Sequence, residues 1–330
     1  MKSLVTGAAG FMGSSVVREL LGDGIETKVL VRENSDTRNI DGLDVEKMIG
    51  DIRDSESMKA SLKGCDTLYQ IAALYANWVP NNKAFYDINV EGTKTSLNAA
   101  LEQGIEKVVY TSSIAAVGSS GIDKQANEET EYNLWGTGSH YCRSKYLGEL
   151  EAKKFYEKGL PVVIVNPAGV IGVRDIKPTP SGQMILNIIH GEYPGYINIG
   201  MNFIDVEDVA RGHILAAQKG RIGERYILGN ENMSVKDFFT LVGDIAGVEP
   251  PKRAVPYLLA LTMAYGYQLL SAITRKPPIL TPSYIRTTGL NWCYDCSKAV
   301  NELGLPQTPV REAIEKAVNW FRENGYIKEE

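Results

Sequence analysis

The chain has 330 residues, 44% apolar and 23% charged, with a net charge of −5 and no long run of either sign. That length allows one large α/β domain with an appended lobe or two ordinary domains, and the composition excludes a long disordered or low-complexity chain. The charge pattern offers no phosphate-backbone footprint and no polybasic membrane patch, so nucleic acid is not an expected partner.

Only Met1 and Lys2 precede the first strand pattern, which leaves no room for a cleavable leader and points to a cytoplasmic protein. Four cysteines, Cys65, Cys142, Cys293 and Cys296, fit a reducing compartment. The Cys293-x-x-Cys296 pair lacks the second pair or the histidines of a structural zinc site, so these read as packed or surface thiols and no metal is expected.

Short apolar runs, namely Ser3 to Thr6, Thr27 to Val31, Val45 to Ile49, Thr67 to Ile71, Lys107 to Tyr110 and Val162 to Val165, alternate with segments of helical periodicity. The helical segments are Phe11 to Leu21, Ser55 to Leu62, Phe85 to Glu102 and His140 to Glu157. Near-continuous apolar strands separated by helices predict a Rossmann-like, doubly wound parallel sheet covered on both faces. Ligands are then expected beyond the carboxyl ends of the strands.

The first strand runs into Gly7-Ala8-Ala9-Gly10-Phe11-Met12-Gly13 and then a helix. Glycines there let the backbone approach a pyrophosphate, which free amides and the positive end of the helix would hold. After the second strand stands Arg32, whose guanidinium can clamp the extra phosphate of NADP; Glu33, one residue on, keeps NAD open. Gly50-Asp51-Ile52, closing the third strand, is expected to face the adenine. Ile71-Ala72-Ala73, closing the fourth, offers small residues where the dinucleotide would pass.

Tyr75, Trp78, Phe85 and Tyr86 follow the fourth strand and Trp135 precedes the fourth long helix, so an aromatic-lined substrate pocket competes with plain loop packing. Asn89 reads chiefly as an organiser of its helix. On the next helix Tyr141 and Lys145 stand four apart and share a face, so an ammonium can stabilise a phenolate and make the tyrosine an acid and base near neutrality. Ser113, after the fifth strand, can hydrogen-bond a carbonyl oxygen, with Thr111 or Ser112 as substitutes if the register differs. His140 reads as a pocket or surface residue, and His190 and His213 as structural residues without partners.

Beyond Asn166-Pro167 the regularity gives way to Pro178, Pro180, Pro194, Pro250, Pro251, Pro256, Pro277 and Pro278. Phe203 to Gln218 and Arg225 to Leu228 look like returns to the first domain. The expected division is 1–169 plus 201–231 for the dinucleotide, and 170–200 plus 232–330 for a smaller, discontinuous substrate lobe. Val255 to Ile273 is long enough to span a bilayer, but Pro256, Gly266, Gln268 and three tyrosines interrupt it, with Arg253 and Arg275 at its flanks. It reads as a buried lid or lobe helix, with peripheral membrane contact as the alternative and no transmembrane span.

Gly7 to Gly13, Gly50-Asp51-Ile52, Asn89-Val90-Glu91-Gly92-Thr93, Thr111-Ser112-Ser113, Tyr141 to Lys145, Asn166-Pro167 and Phe203-Ile204-Asp205-Val206-x-Asp208-Val209-Ala210 together resemble an extended short-chain dehydrogenase/reductase. The nearest branch is dihydroflavonol reductase and 3β-hydroxysteroid dehydrogenase-like, including hopanoid-associated sugar epimerase-like proteins. The resemblance implies an NADP-binding Rossmann domain, a Ser113, Tyr141, Lys145 triad, and nicotinamide against the Asn166-Pro167-Ala168 turn. It also implies a small carbonyl or alcohol substrate and a monomer or homodimer.

The same triad drives NAD(P)-dependent sugar-nucleotide epimerases and dehydratases, which stay open as the alternative. Their usual Arg-Asp-Tyr run reads Met201-Asn202-Phe203 here, removing a charge-assisted contact to a diphosphate, although Arg174 and Lys177 lie in a loop that could compensate. A dinucleotide sensor without chemistry is a third reading, which an intact tyrosine and lysine oppose.

Overall fold

The computed structural model describes residues 1–327 except 77, 122–123, 198, 275–277 and 279. Arg275 and Pro277 therefore lie outside the described residues.

Strand β1 (Lys2–Thr6) carries Leu4 and Val5, both 0% exposed and pointing into different cores, because successive side chains leave opposite faces of a strand. Each such burial is worth about 1.5–3 kcal/mol. A turn closed by the Gly10 amide on the Gly7 carbonyl (3.0 Å) leads into α1 (Phe11–Gly22). Then follow β2 (Glu26–Val31), β3 (Glu46–Ile49), α2 (Ser55–Leu62) and β4 (Thr67–Gln70). A short helix α3 (Lys83–Tyr86), a wide π turn over Asp87–Gly92 and α4 (Thr93–Glu102) precede β5 (Lys107–Thr111).

Helix α5 (His140–Glu157) starts at Ser139, whose hydroxyl accepts from the Cys142 amide (3.2 Å). Strands β6 (Val162–Pro167) and β7 (Gly169–Ile171), helix α6 (Pro180–Ile189), β8 (Gly200–Asp205), α7 (Val206–Lys219), β9 (Arg225–Leu228) and β10 (Glu231–Ser234) come next. Helices α8 (Val235–Ala246), α9 (Tyr257–Thr274), α10 (Pro282–Thr288) and α11 (Val310–Glu323) end the chain.

The main sheet has the order β3-β2-β1-β4-β5-β6-β9, parallel throughout, which is the doubly wound arrangement expected from sequence. One core lies between the sheet and α1 and α7, the other between the sheet and α2, α4 and α5. A smaller sheet, β10-β8-β7, packs with α6, α8 and α11 around Phe203, Phe238 and Phe321.

Three expectations are corrected. The helix expected over Phe85 to Glu102 is continuous but widens into a π turn at Asp87–Gly92, where Asn89 is buried and bonded to the Leu74 amide (2.7 Å), the Leu74 carbonyl (3.0 Å) and the Ser144 hydroxyl of α5 (2.9 Å). Phe203 belongs to the smaller sheet, where it pairs with Gly169 and Glu231; only the helix after it, α7, returns to pack on α1. The α9 segment is not buried: it carries alanines inward and leucines outward. No helix among the described residues is long and apolar enough to cross a membrane.

Candidate active site

A cavity of about 1160 Å³ lies beyond the carboxyl ends of β1, β2, β4, β5 and β6. Its floor begins at the glycine loop. Gly7 has φ +68, and an added Cβ would stand 2.8 Å from the Ala72 amide nitrogen; at Gly13 it would collide with the Gly7 carbonyl. Only glycine leaves this cradle open. No side chain caps α1 at Gly10, so its first-turn amides keep their donor capacity. Thr6 Oγ1 accepts from the amides of Ile71 (3.1 Å) and Ala72 (3.2 Å), fixing the neighbouring strand end against the loop.

Gly7, Gly10, Phe11, Met12, Gly13, Arg32, Asp51, Ile52, Ala72, Ala73, Pro167 and Ala168 all line this one cavity. Arg32 is exposed, directly after the last residue of β2, and shares its stretch of wall with Asn34, Ser35 and Asp36. Asp51 is paired with Arg53 (2.8 Å), and that guanidinium holds its carboxyl below the usual range. A small-residue cradle, an uncapped helix start and an exposed arginine in a polar wall fit a pyridine dinucleotide.

Ser113, Tyr141 and Lys145 line the same cavity, with Ser113 after β5, two sheet positions from the glycine loop after β1. Burial raises the Tyr141 phenol well above its ordinary range, and the Ser113 hydroxyl beside it opposes the rise. The Ser113 hydroxyl also accepts from the Ala115 amide (3.1 Å). The Lys145 ammonium points to the Thr111 carbonyl (2.9 Å) at the end of β5, and burial pushes it down to about 8 against the opposing charge of Glu149. In this geometry the Ser113 hydroxyl favours the phenolate.

Beneath these side chains is a buried charge network. Glu149 Oε2 accepts from the Ser112 hydroxyl (2.7 Å) and the Asn166 amide group (2.8 Å), while Oε1 pairs with Arg225 (3.1 Å) and Lys153 (3.2 Å). The Glu149 carboxyl is penalised by burial, yet Arg225 and Lys153 bring it to a net lowered pKa. Asn166 also donates to the Ser113 carbonyl (2.9 Å), so the network locks α5, β6 and β9 to the end of β5. No motif singles out Glu149 or Arg225. Their signal is the spacing of four that puts Tyr141, Lys145 and Glu149 on one helix face.

The aromatic wall is partly as expected. Tyr75 packs its ring 4.9 Å from that of Tyr141, Phe85 lies 6.4 Å from it, and Trp78 lines the cavity. His140 lines it too, with Nδ1 2.9 Å from the Tyr86 hydroxyl. Trp135 is not brought to the cavity: it is 48% exposed and packs edge-on against Tyr132 and Tyr146, with the Arg143 guanidinium over its ring. In the short 3₁₀ turn it occupies, Leu134 and Thr137 are buried while Trp135 projects to the surface.

Two further expectations are revised. Asn166 and Pro167 are the last residues of β6 rather than a turn. His213 is structural but not partnerless: it is wholly buried between Thr111 Oγ1 (2.9 Å) and the Val209 carbonyl (2.7 Å), and burial pushes its pKa down to about 4. His190 is exposed at the end of α6. The cavity roof comes largely from residues no motif marked, among them Met184, Tyr265, Tyr284, Arg286 and Trp292, together with Met201. No cluster of metal-ligating side chains is present among the described residues.

The family model for the NAD dependent epimerase/dehydratase family matches residues 3–229. The chain belongs to that family. Within it, this extended short-chain dehydrogenase/reductase is 40% identical to a putative dihydroflavonol 4-reductase of Synechocystis, over 98% of this chain and 95% of that protein. It is 34% identical to the sterol demethylase protein B of Methylococcus capsulatus, over 99% and 100%. The solved structure of gox2253 superposes with a TM-score of 0.89 at 41% identity, covering 99% of both chains. The chain is an NAD(P)-dependent oxidoreductase of the type that interconverts carbinols and carbonyls.

Proposed function

We propose that the enzyme is an NADPH-dependent reductase of a ketone or aldehyde, running reversibly as an alcohol dehydrogenase. The observation that carries this reading is Tyr141, whose hydroxyl shares one cavity with the Ser113 hydroxyl and with the glycine cradle. A bound reduced nicotinamide would supply the hydride. Tyr141 Oη then gives its proton to the developing alkoxide oxygen, and Ser113 Oγ donates a hydrogen bond to the same atom to hold the carbonyl in line. Lys145, anchored on the Thr111 carbonyl, would hold the ribose hydroxyls of the bound dinucleotide and stabilise the tyrosinate left behind. Pro167 and Ala168, which line the cavity, would form the wall against a nicotinamide.

Arg32 supports NADP over NAD, because a guanidinium at the end of β2 can clamp a phosphate bidentately. We assign residues 1–169 plus 201–231 to the dinucleotide and 170–200 plus 232–330 to the substrate, with β8 inside the first range pairing in the smaller sheet on the substrate side. Tyr75, Trp78 and His140, under a roof of Met184, Tyr284 and Trp292, suit an apolar, ring-shaped carbonyl compound. The putative dihydroflavonol reductase and the sterol demethylase protein among the relatives are in keeping with that class by name.

The family also contains epimerases and dehydratases, and the Ser113, Tyr141, Lys145 set would serve them equally. Against that reading, Met201 offers a thioether to the cavity, and Asn202 is held by the Asn230 carbonyl (3.2 Å) and Asn232 Oδ1 (2.9 Å), so neither meets a diphosphate with charge. Of the two cations that could compensate, Arg174 lies outside the cavity wall and pairs with Glu207 (3.4 Å), whereas Lys177 does line the cavity.

Titrating the protein with NADPH and NADH side by side, then screening cyclic ketones and aldehydes for stoichiometric NADPH oxidation, tests the reading. Isomerisation of UDP-hexoses with no net nicotinamide turnover would replace it with the epimerase.

A further inference from the structure

Helix α9 (Tyr257–Thr274) is packed the wrong way round for a helix that ends in water. Its inner positions are alanines: Ala260 and Ala264 are buried against Ile285. Its outer positions are long aliphatic side chains, with Leu258 74%, Leu269 66% and Ile273 75% exposed. Eight of the fourteen large apolar side chains exposed among the described residues sit on this one helix. At 3.6 residues per turn, Leu258, Leu259, Met263, Leu269, Leu270 and Ile273 fall within one face of about 140°. A contiguous patch of this kind marks an interaction surface, whereas scattered apolar side chains do not.

Charge selects the partner. No aspartate or glutamate occurs between Glu249 and Asp295, while Lys252, Arg253, Arg275, Lys276 and Arg286 do, in a chain whose net charge is −5. Lys252 and Arg253 are exposed at the start of the helix, and Arg275 and Lys276 follow its last residue in sequence. An apolar face bracketed by cations and free of acids complements a bilayer that carries anionic headgroups. A second copy docking through the same face would bring two cation-flanked segments together, with Glu249, paired with Lys252 (3.1 Å), as the carboxylate beside them and none on the helix itself.

The cavity adjoins this face. Tyr265 and Gln268, on the flank of α9 between its alanines and its leucines, line the active-site cavity. We propose that α9 seats the enzyme on an anionic bilayer surface, leucines in the headgroup and acyl boundary, so that an apolar substrate enters the cavity from the lipid side past Tyr265 and Gln268.

The full chain is tested by flotation with vesicles of phosphatidylcholine and with vesicles of phosphatidylcholine and phosphatidylglycerol in equal parts. The expected result is flotation with the phosphatidylglycerol vesicles that weakens with added salt. Partition should fall at least tenfold for the combined Leu258→Gln, Leu269→Gln, Ile273→Gln variant. A Lys252→Gln, Arg253→Gln variant should lose part of the preference for phosphatidylglycerol. Thermal unfolding by circular dichroism, unchanged in both variants, separates lost docking from lost folding. The proposal is overturned if the wild type floats with neither vesicle, if it favours neither composition, or if the leucine variant floats as well as the wild type. A wild-type dimer that the leucine variant splits, with no flotation of either, would assign the face to a second copy instead.

Discussion

The floor and the roof of the cavity are built by opposite means. The floor comes from residues within a few positions of strand ends, held by backbone geometry: the Gly7 to Gly13 loop, the Thr6 clamp on Ile71 and Ala72, and Ser113 next to β5. The roof is assembled from α6, β8, α9 and α10, which are distant in sequence and joined by proline-punctuated loops. A parallel sheet delivers every strand end to one edge, so chemistry placed there tolerates no drift. Roof side chains need only close a volume, and many combinations do that.

The sharpest break in this comparison is Tyr141→Phe, which removes one oxygen from the floor and nothing from the fold. Turnover should fall about 10²–10⁴-fold with dinucleotide affinity nearly unchanged, read by steady-state rates and fluorescence titration. Equal loss of both would mean that the tyrosine shapes the pocket rather than donating a proton. Next comes Glu149→Ala, which strands Arg225 without a counter-charge below the site. A loss of about 3–5 kcal/mol in denaturant unfolding is expected. A neutral result would show that the floor does not depend on its buried support.

Arg32→Ala should weaken NADPH binding about tenfold to a hundredfold, a charge-assisted contact being worth roughly 1.5–3 kcal/mol, and leave NADH binding alone. Loss of both cofactors equally would count against the phosphate clamp.

Asp175 is a roof-side group with an electrostatic signature. Its Oδ2 accepts from the Thr179 amide and hydroxyl (both 2.8 Å), Oδ1 has no partner, and burial pushes the carboxyl up to about 6. The folded state therefore favours the protonated form. The associated stability is complete below the ordinary 3.8 and is lost as pH rises through about 6. His213 has the opposite sign, its contribution fading as pH falls from 6.5 towards 4. The difference between wild type and Asp175→Asn isolates the first effect. The variant should gain on the order of 2 kcal/mol relative to wild type between acidic and neutral pH, and an identical pH profile would contradict it. The smallest change is expected from Tyr75→Ala: a KM raised a few-fold, since a ring pair is worth about 0.5–1.5 kcal/mol, with kcat largely kept.

Much of the floor was legible from residues alone. Apolar strand runs and glycine spacing define a doubly wound sheet, and the Tyr141 and Lys145 spacing marks its helix, because these signals are local and periodic. The expected strand ends fell within a few residues of those in the structure, which is why Arg32, Asp51 and Ala72 could be placed at the cavity. Trp135 could not: an aromatic before a helix carries no sign of whether its turn faces the pocket or the solvent. The π turn at Asn89 was equally invisible, since it depends on Leu74 and Ser144 converging on one side chain.

Local propensity and hydrophobic period thus determined the strands and helices of the main sheet, the cradle and the face shared by Tyr141 and Lys145, because each is set by neighbours along the chain. Tertiary structure alone decided that Lys145 turns to the Thr111 carbonyl, that Glu149 finds Arg225, and that α9 turns its leucines outward. Those outcomes depend on which distant surfaces compete for the same side chain, and the free energy of burial or charge pairing that settles the competition exists only once the chain has folded.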